Sequence, residues 1–209
     1  MIRDSGRHWQ QMMFSVCAVI FCYGCALGPR IDLGSAQRRA KAVDAYLAEF
    51  GAETFMRSKI GLAIHEVMMR LPEDALRTVM DRHRPVLFLE VYSSGMGSFA
   101  SSSEVIMTEK DIPAFQRGMT LITISDVLEA GSSEAIKGIV AHEMAHRVLD
   151  HVRRNRVGCQ SEREANRLIK SWGFTGEFEA ASREFGRAKF GGGAASCPED
   201  DAAVPAAKK

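Results

Sequence analysis

The sequence has no surplus of charge, few cysteines and no internal repeat. Its 209 residues carry a formal net charge of +1, whereas a dedicated nucleic-acid binder usually concentrates basic residues on one face. We therefore expect no nucleic-acid partner. Of the five cysteines, only Cys159 and Cys197 follow the first 28 residues, so this part of the chain can form at most one internal disulfide. The sequence leaves open whether the two cysteines pair.

Long hydrophobic runs are also scarce, and the clearest one lies at the N-terminus. Residues 12–28 carry no charge and follow two arginines, which is the layout of a secretory signal peptide. The run is short for a spanning helix, but a retained anchor, lipidation at Cys25 and a buried helix stay open beside cleavage after Ala26. We predict an exported, periplasmic or cell-envelope protein, with residues 1–28 as signal peptide or membrane anchor.

The remaining chain is predicted to form one domain, residues 35–190, before a disordered tail at residues 191–209. Proline is absent from residues 35–71, which predicts one or two helices broken near Gly51 or Gly61. Strands are predicted at residues 86–92, 104–108 and 119–125, and further helices at residues 73–83, 135–152, 162–172 and 175–190. This order indicates an α+β fold with a small, mostly antiparallel sheet.

Two histidines four residues apart indicate a metal site. In the string HEMAH, His142 and His146 project from the same face of the predicted helix and can reach one ion. Zinc suits two imidazoles, a carboxylate and a water, and Glu143 is placed to take a proton from that water. The same string can be a structural histidine pair. However, residues 131–134 can cap the start of the motif helix, and an acidic helix follows it, and both features favour a metal site.

The third ligand is expected to be a carboxylate on the next helix, where Glu162 and Glu164 are the candidates. Residues two apart on a helix differ in direction by about 200°, so only one of them can face the histidines. Residues 118–127, GIVAHEMAHRVLDH and SEREANRLIKSWGF resemble the gluzincin metallopeptidases, and among them the M48-like family. This resemblance implies a zincin-like fold, with the sheet packed against the HExxH helix and flanking helices. It also makes Glu162 the ligand and leaves Glu164 as the alternative.

The chain departs from the family pattern at Asn166. The family usually has an aspartate there, which accepts a hydrogen bond from a ligand histidine and orients it. Asn166 is expected to accept the same bond through its carbonyl, without the charge. The interval between His146 and Glu162 is also shorter than in most of the family and closer to minimal gluzincin domains. Asp150 and His151 could contact the metal ligands from outside, although a solvated helix end is the favoured interpretation.

The resemblance implies a zinc-dependent endopeptidase that hydrolyses proteins or peptides in the cell envelope, with Glu143 as general base. In such proteins the strand before the motif helix pairs with an extended substrate, which here would be residues 119–125. Two alternatives remain. One is a zinc-binding envelope protein without turnover, acting as a binding or chaperone-like module. The other is a membrane-attached interaction protein without metal.

Overall fold

The computed structural model describes residues 33–51, 57–91, 99–105, 118–154 and 158–186. The predicted export segment and the predicted tail lie outside these ranges. None of the helices within them is both long enough and apolar enough to cross a membrane. Cys159 takes part in a disulfide, and the other four cysteines, Cys197 among them, lie outside the described residues.

Three helices precede the sheet: α1 (Ala36–Phe50), α2 (Lys59–Arg70) and α3 (Glu73–Val79). Ser35 and Ser58 begin the first two helices, since each side chain accepts a backbone N–H of the first turn.

The predicted helix break at Gly51 is confirmed, because Gly51 ends α1 with an extended backbone. Gly61, the other predicted break, lies inside α2. The helix predicted over residues 73–83 ends earlier, at Val79.

The sheet has three described strands: β1 (Val86–Val91), β2 (Ala100–Val105) and β3 (Met119–Ser125). Their order is β1-β3-β2. Strand β1 runs parallel to β3, and β2 runs antiparallel to it. The sheet is therefore mixed, and the prediction of a mostly antiparallel sheet is wrong, because one of the two strand pairings of β3, that with β1, is parallel.

The order of the strands also corrects the predicted role of β3. Because β3 has a partner on each side, its backbone is already paired and it cannot serve as an edge for substrate. Strand β2, which pairs with β3 on the side opposite β1, is an edge strand of the described sheet. It begins four residues before its predicted start. Pairing with β3 sets its position, including a 2.7 Å hydrogen bond between the Ser101 and Thr123 hydroxyls.

After the sheet come a 3-10 helix (Asp126–Ala130) and three α-helices, α4 (Ser133–Val148), α5 (Cys159–Ser171) and α6 (Thr175–Phe185). The motif helix α4 ends at Val148, four residues before its predicted end. The last helix ends at Phe185, short of the predicted residue 190. Together with the mixed sheet, the six α-helices of the described residues confirm an α+β fold.

Helix α4 lies at the centre of the domain, where it packs against α2, α5, α6 and β2. Its apolar side chains are buried all round, including Ile136, Val140 and Met144. Helix α6 crosses it so closely that a Cβ atom on Gly138 would lie 2.3 Å from the carbonyl oxygen of Glu177. The helix that carries the two histidines is therefore held rigidly by the core.

Candidate metal centre

Helix α4 presents His142 and His146 side by side, as the four-residue spacing predicts. Ser132 begins the helix, its Oγ accepting the Ala135 backbone N–H at 3.2 Å. The two histidine rings lie 4.6 Å apart between centroids, and their Nε2 atoms are 3.0 Å apart. His142 is 1% exposed and His146 8% exposed. Both imidazoles therefore direct the same nitrogen toward one point in a largely dry environment.

Helix α5 brings Glu162 to that point. Gly158 precedes the helix with a φ of 107°, a backbone conformation that glycine adopts readily. The helix thus starts three residues before its predicted start, and Ser161 lies inside it and donates its hydroxyl to the Gly158 carbonyl at 2.7 Å. Glu162 falls in the first turn, where its Oε2 lies 3.0 Å from His142 Nε2 and its Oε1 lies 3.5 Å from His146 Nε2.

These three side chains form a group that could hold a metal ion. Their ligand atoms all lie within 4.8 Å of one another. Around a tetrahedral zinc with ligand bonds near 2.0–2.1 Å, two ligand atoms would be roughly 3.3 Å apart. The two Nε2 atoms are 3.0 Å apart, and they lie 3.0 and 3.5 Å from the two different oxygens of Glu162. The donor set of two imidazole nitrogens and one carboxylate therefore fits such an ion after small adjustments.

Within the group, the Glu162 carboxylate and the two imidazoles stabilise each other's charged forms. Burial raises the pKa of the Glu162 carboxyl, but hydrogen bonds and charge from His142 and His146 outweigh burial and lower this pKa to about 2. Burial lowers the pKa of His146, yet the Glu162 hydrogen bond and the charges of Glu143 and Glu162 more than offset it and raise this pKa. The carboxylate is thus ionised at neutral pH, and it stabilises positive charge where the nitrogens converge.

Glu143 points toward the sheet. Its side chain is 4% exposed, and its Oε2 accepts a short hydrogen bond from the Ser102 hydroxyl of β2. The same hydroxyl lies 3.3 Å from the backbone carbonyl oxygen of Glu143. Ser102 was missed in the sequence, because three successive serines carry no chemical signal and only the strand register places the middle one here.

Glu164 lies outside the three-residue group. Its Oε2 is 2.9 Å from Nε2 of His151, while Nδ1 of His151 is 2.9 Å from Nδ1 of His146. His151 is 1% exposed, so its interpretation as part of a solvated helix end is wrong. Asp150 is likewise ion-paired with Arg84. The early end of α4 turns both residues back toward the protein.

Asn166 does not make its expected contact. Its Oδ1 is buried, and within the described residues it accepts no hydrogen bond. Among the contacts described here, the one that orients a ligand histidine from outside the group comes from His151. The sequence offered this role for Asp150 and His151 as the less favoured alternative.

Comparison of the chain with protein-family models, with curated proteins and with solved structures found no match. The resemblance to the M48-like gluzincins therefore stays a prediction that depends on the residues named above.

Proposed function

We propose that this protein is a zinc-dependent endopeptidase in which His142, His146 and Glu162 hold the metal and Glu143 is the general base. The observation that carries the proposal is the convergence of two imidazole Nε2 atoms, 3.0 Å apart, with the carboxylate of Glu162, whose two oxygens lie 3.0 and 3.5 Å from them. Two separate helices supply them.

Zinc is the ion that best suits this donor set. Two histidines and one glutamate are a usual set of protein ligands in catalytic zinc sites, and they leave a fourth tetrahedral position open. When bound, zinc would lower the pKa of a water molecule to about 7 and polarise the carbonyl of a substrate. The most exposed side chain of the three is Glu162, at 15%, so we expect solvent to reach the fourth position from that side.

Glu143 would take a proton from the attacking water and pass it to the leaving amine. Two features support this assignment. Glu143 directly follows His142 on α4, and its negative charge helps to raise the pKa of His146. The Ser102 hydroxyl holds one carboxylate oxygen, and this leaves the other oxygen for the water.

The substrate we propose is an extended segment of a protein or peptide that pairs with β2. Strand β2 is one of the two edge strands of the described sheet, and its Ser102 contacts Glu143 directly. A peptide added to this edge would form main-chain hydrogen bonds, and its carbonyl groups would lie next to the motif helix. The edge predicted from the sequence, β3, lies one strand further into the sheet.

The proposal includes a zincin-like, M48-like gluzincin domain in an exported protein that acts in the periplasm or cell envelope. The α+β arrangement of a small sheet against the HExxH helix supports the proposed zincin-like domain. The uncharged residues 12–28, which follow two arginines, support the proposed export. If they are retained, they would provide membrane attachment.

The test is metal content and peptide hydrolysis of the full-length protein beside three variants. Glu162→Ala removes one ligand and should lose zinc. Glu143→Gln should keep one zinc per chain and lose hydrolysis of a denatured-protein and peptide library. Glu179→Gln removes the same charge from an exposed position on α6 and should behave as the parent.

The outcomes separate the alternatives. A parent protein without zinc would sink the metal site and the enzyme together. A different result would favour a zinc-binding module without turnover. In that case the parent binds zinc but hydrolyses nothing in the library, and the Glu162→Ala variant loses the zinc. Equal hydrolysis by the parent and a zinc-loaded Glu143→Gln variant would overturn the assigned base.

A further inference from the structure

We propose that His151 and Glu164 are positioning residues, which form a directed hydrogen-bond relay that fixes the ring orientation and proton position of His146 for metal binding. The inference rests on the proposed metal site, and it concerns two residues that the HExxH pattern does not include. Three features support it: the turn that ends α4, the direction of the hydrogen bonds, and the position of Glu164 on α5.

The turn after α4 brings His151 back under His146. The Asp150 N–H donates to the Arg147 carbonyl at 3.2 Å, and the His151 N–H donates to the His146 carbonyl at 3.1 Å. These two bonds, with Leu149 as the C-cap, are those of a Schellman motif. Asp150 adopts the left-handed conformation with φ 58°, which aspartate tolerates better than most residues.

The turn is held from outside by an ion pair. The Asp150 carboxylate contacts the guanidinium of Arg84, which also forms hydrogen bonds of 2.8 and 2.9 Å with the two carboxylate oxygens of Glu104. The Arg84 and Glu104 side chains are only 8% and 4% exposed. A charge network of this burial is costly to disrupt, so the conformation that places His151 beside His146 is well defined.

If His146 is a metal ligand, the hydrogen bonds of the relay can run in just one direction. His146 Nε2 faces His142 and Glu162 and must keep its lone pair for the metal, so the proton of the neutral ring is on Nδ1. Among the described residues, the acceptor for that proton is Nδ1 of His151, 2.9 Å away. His151 then carries its own proton on Nε2 and donates it to Oε2 of Glu164, also at 2.9 Å.

Helix α5 supplies both carboxylates of the site. Glu162 and Glu164 are two residues apart, so they leave the helix in directions about 200° apart, and each meets a different histidine. Gln160 donates to the second oxygen of Glu164 at 3.0 Å, which holds that carboxylate. The relay thus supplies to His146 the outer hydrogen bond that ligand histidines commonly have, while Asn166 accepts none from the described residues.

The test compares zinc affinity of the full-length parent with that of Glu164→Ala, Glu164→Gln and His151→Phe, by competition with a chromophoric chelator. Loss of an outer-shell partner commonly costs about 10- to 100-fold in metal affinity, and we expect this loss for Glu164→Ala and His151→Phe. Glu164→Gln should recover part of it, because an amide oxygen still accepts from His151. Glu179→Gln, which removes an exposed charge, should have the affinity of the parent.

Nitrogen-15 NMR of the zinc-loaded parent gives a second readout that needs no variant to fold. We expect a protonated Nδ1 on His146, and on His151 a protonated Nε2 with an unprotonated Nδ1. A proton on Nδ1 of His151 would overturn the relay. So would unchanged zinc affinity in folded Glu164→Ala and His151→Phe variants, and this result would leave the zinc site itself intact.

The two proposals fail in different ways. A parent that binds no zinc removes both. The relay is supported, and the peptidase removed, by a different set of results. In this case the parent binds zinc with these tautomers and cleaves nothing, and the variants bind zinc more weakly.

Discussion

The Ser102 hydroxyl of β2 donates a hydrogen bond to the Glu143 carboxylate of α4. Ser102 lies on β2, an edge strand of the described sheet, and Glu143 lies between the two histidines of the motif. One side chain therefore joins the proposed substrate edge to the proposed base. The contact is largely shielded from water, because Glu143 is only 4% exposed. A hydrogen bond to a charged group in such an environment is stronger than one between neutral groups.

We predict that Ser102→Ala lowers kcat while zinc affinity is unchanged. A hydrogen bond to a charged group contributes about 1.5–3 kcal/mol, so loss of orientation of the carboxylate should cost about 10- to 100-fold in rate. Steady-state kinetics and zinc titration measure the two effects. Ser103→Ala is the matched control, since Ser103 is exposed and adjacent strand residues point to opposite faces. A Ser102→Ala enzyme with the kcat of the parent would contradict the prediction.

Gly138 is predicted to tolerate no side chain. A Cβ atom there would meet the Glu177 carbonyl oxygen at 2.3 Å and its carbonyl carbon at 2.7 Å, and these backbone atoms of α6 cannot move aside cheaply. Gly138→Ala should lower the free energy of unfolding by about 1–3 kcal/mol, as overpacked cores do. Urea denaturation of the metal-free protein measures the change.

Gly176 on α6 provides the control for this change, because nothing lies within 4 Å of its Cβ position. Gly176→Ala should be neutral or raise the free energy of unfolding by up to about 1 kcal/mol, since alanine favours helix more than glycine does. Equal destabilisation by the two substitutions would show that helix packing at Gly138 is not the cause.

Local signals in the sequence predicted the parts of the fold that depend on nearby residues. Alternation of apolar residues predicted β3 with the same ends, Met119 and Ser125, that the structure has. The spacing of His142 and His146 predicted their common face, and helical direction separated Glu162 from Glu164. In each case the decisive geometry is contained within one strand or one helix.

The errors concern positions that distant residues decide. The pairing of β2 with β3 selects a serine-rich segment of low strand propensity, so neither the true strand nor the role of Ser102 could be predicted locally. The end of α4 was predicted too late because VLDH continues the helical pattern. The left-handed turn at Asp150 depends in addition on Arg84, an ion-pair partner far away in the sequence.

Tyr46 is predicted to contribute to stability through its hydroxyl. This group is buried between α3 and β1, where it accepts the Val86 N–H at 2.7 Å and lies 3.0 and 3.1 Å from the carbonyl oxygens of Val79 and Val86. Tyr46→Phe leaves these backbone groups without the hydroxyl and should lower the free energy of unfolding by about 1–3 kcal/mol. Zinc content should stay that of the parent, which separates stability from the site.

The ion pair of Arg70 with Glu177 links α2 to α6. The Arg70 guanidinium also lies 4.2 Å from the ring centroid of Phe174, so its position is well defined. Burial raises the pKa of the Glu177 carboxyl, but the hydrogen bond and charge of Arg70 outweigh burial and lower this pKa below 4.5. A carboxyl with a lowered pKa in the folded state stabilises the protein while it is ionised.

We therefore predict that Glu177→Gln lowers the free energy of unfolding at pH 7, by up to about 1 kcal/mol because Arg70 is partly exposed. The stabilisation is fully present above pH 4.5, the ordinary pKa, and is lost as pH falls through the lower folded-state pKa. The parent and the variant should converge as pH falls below 4.5, which urea denaturation from pH 7 to pH 4 would begin to show. Exposed Glu179→Gln controls for charge removal. A pH-independent difference would mean that packing, rather than the ion pair, causes the loss.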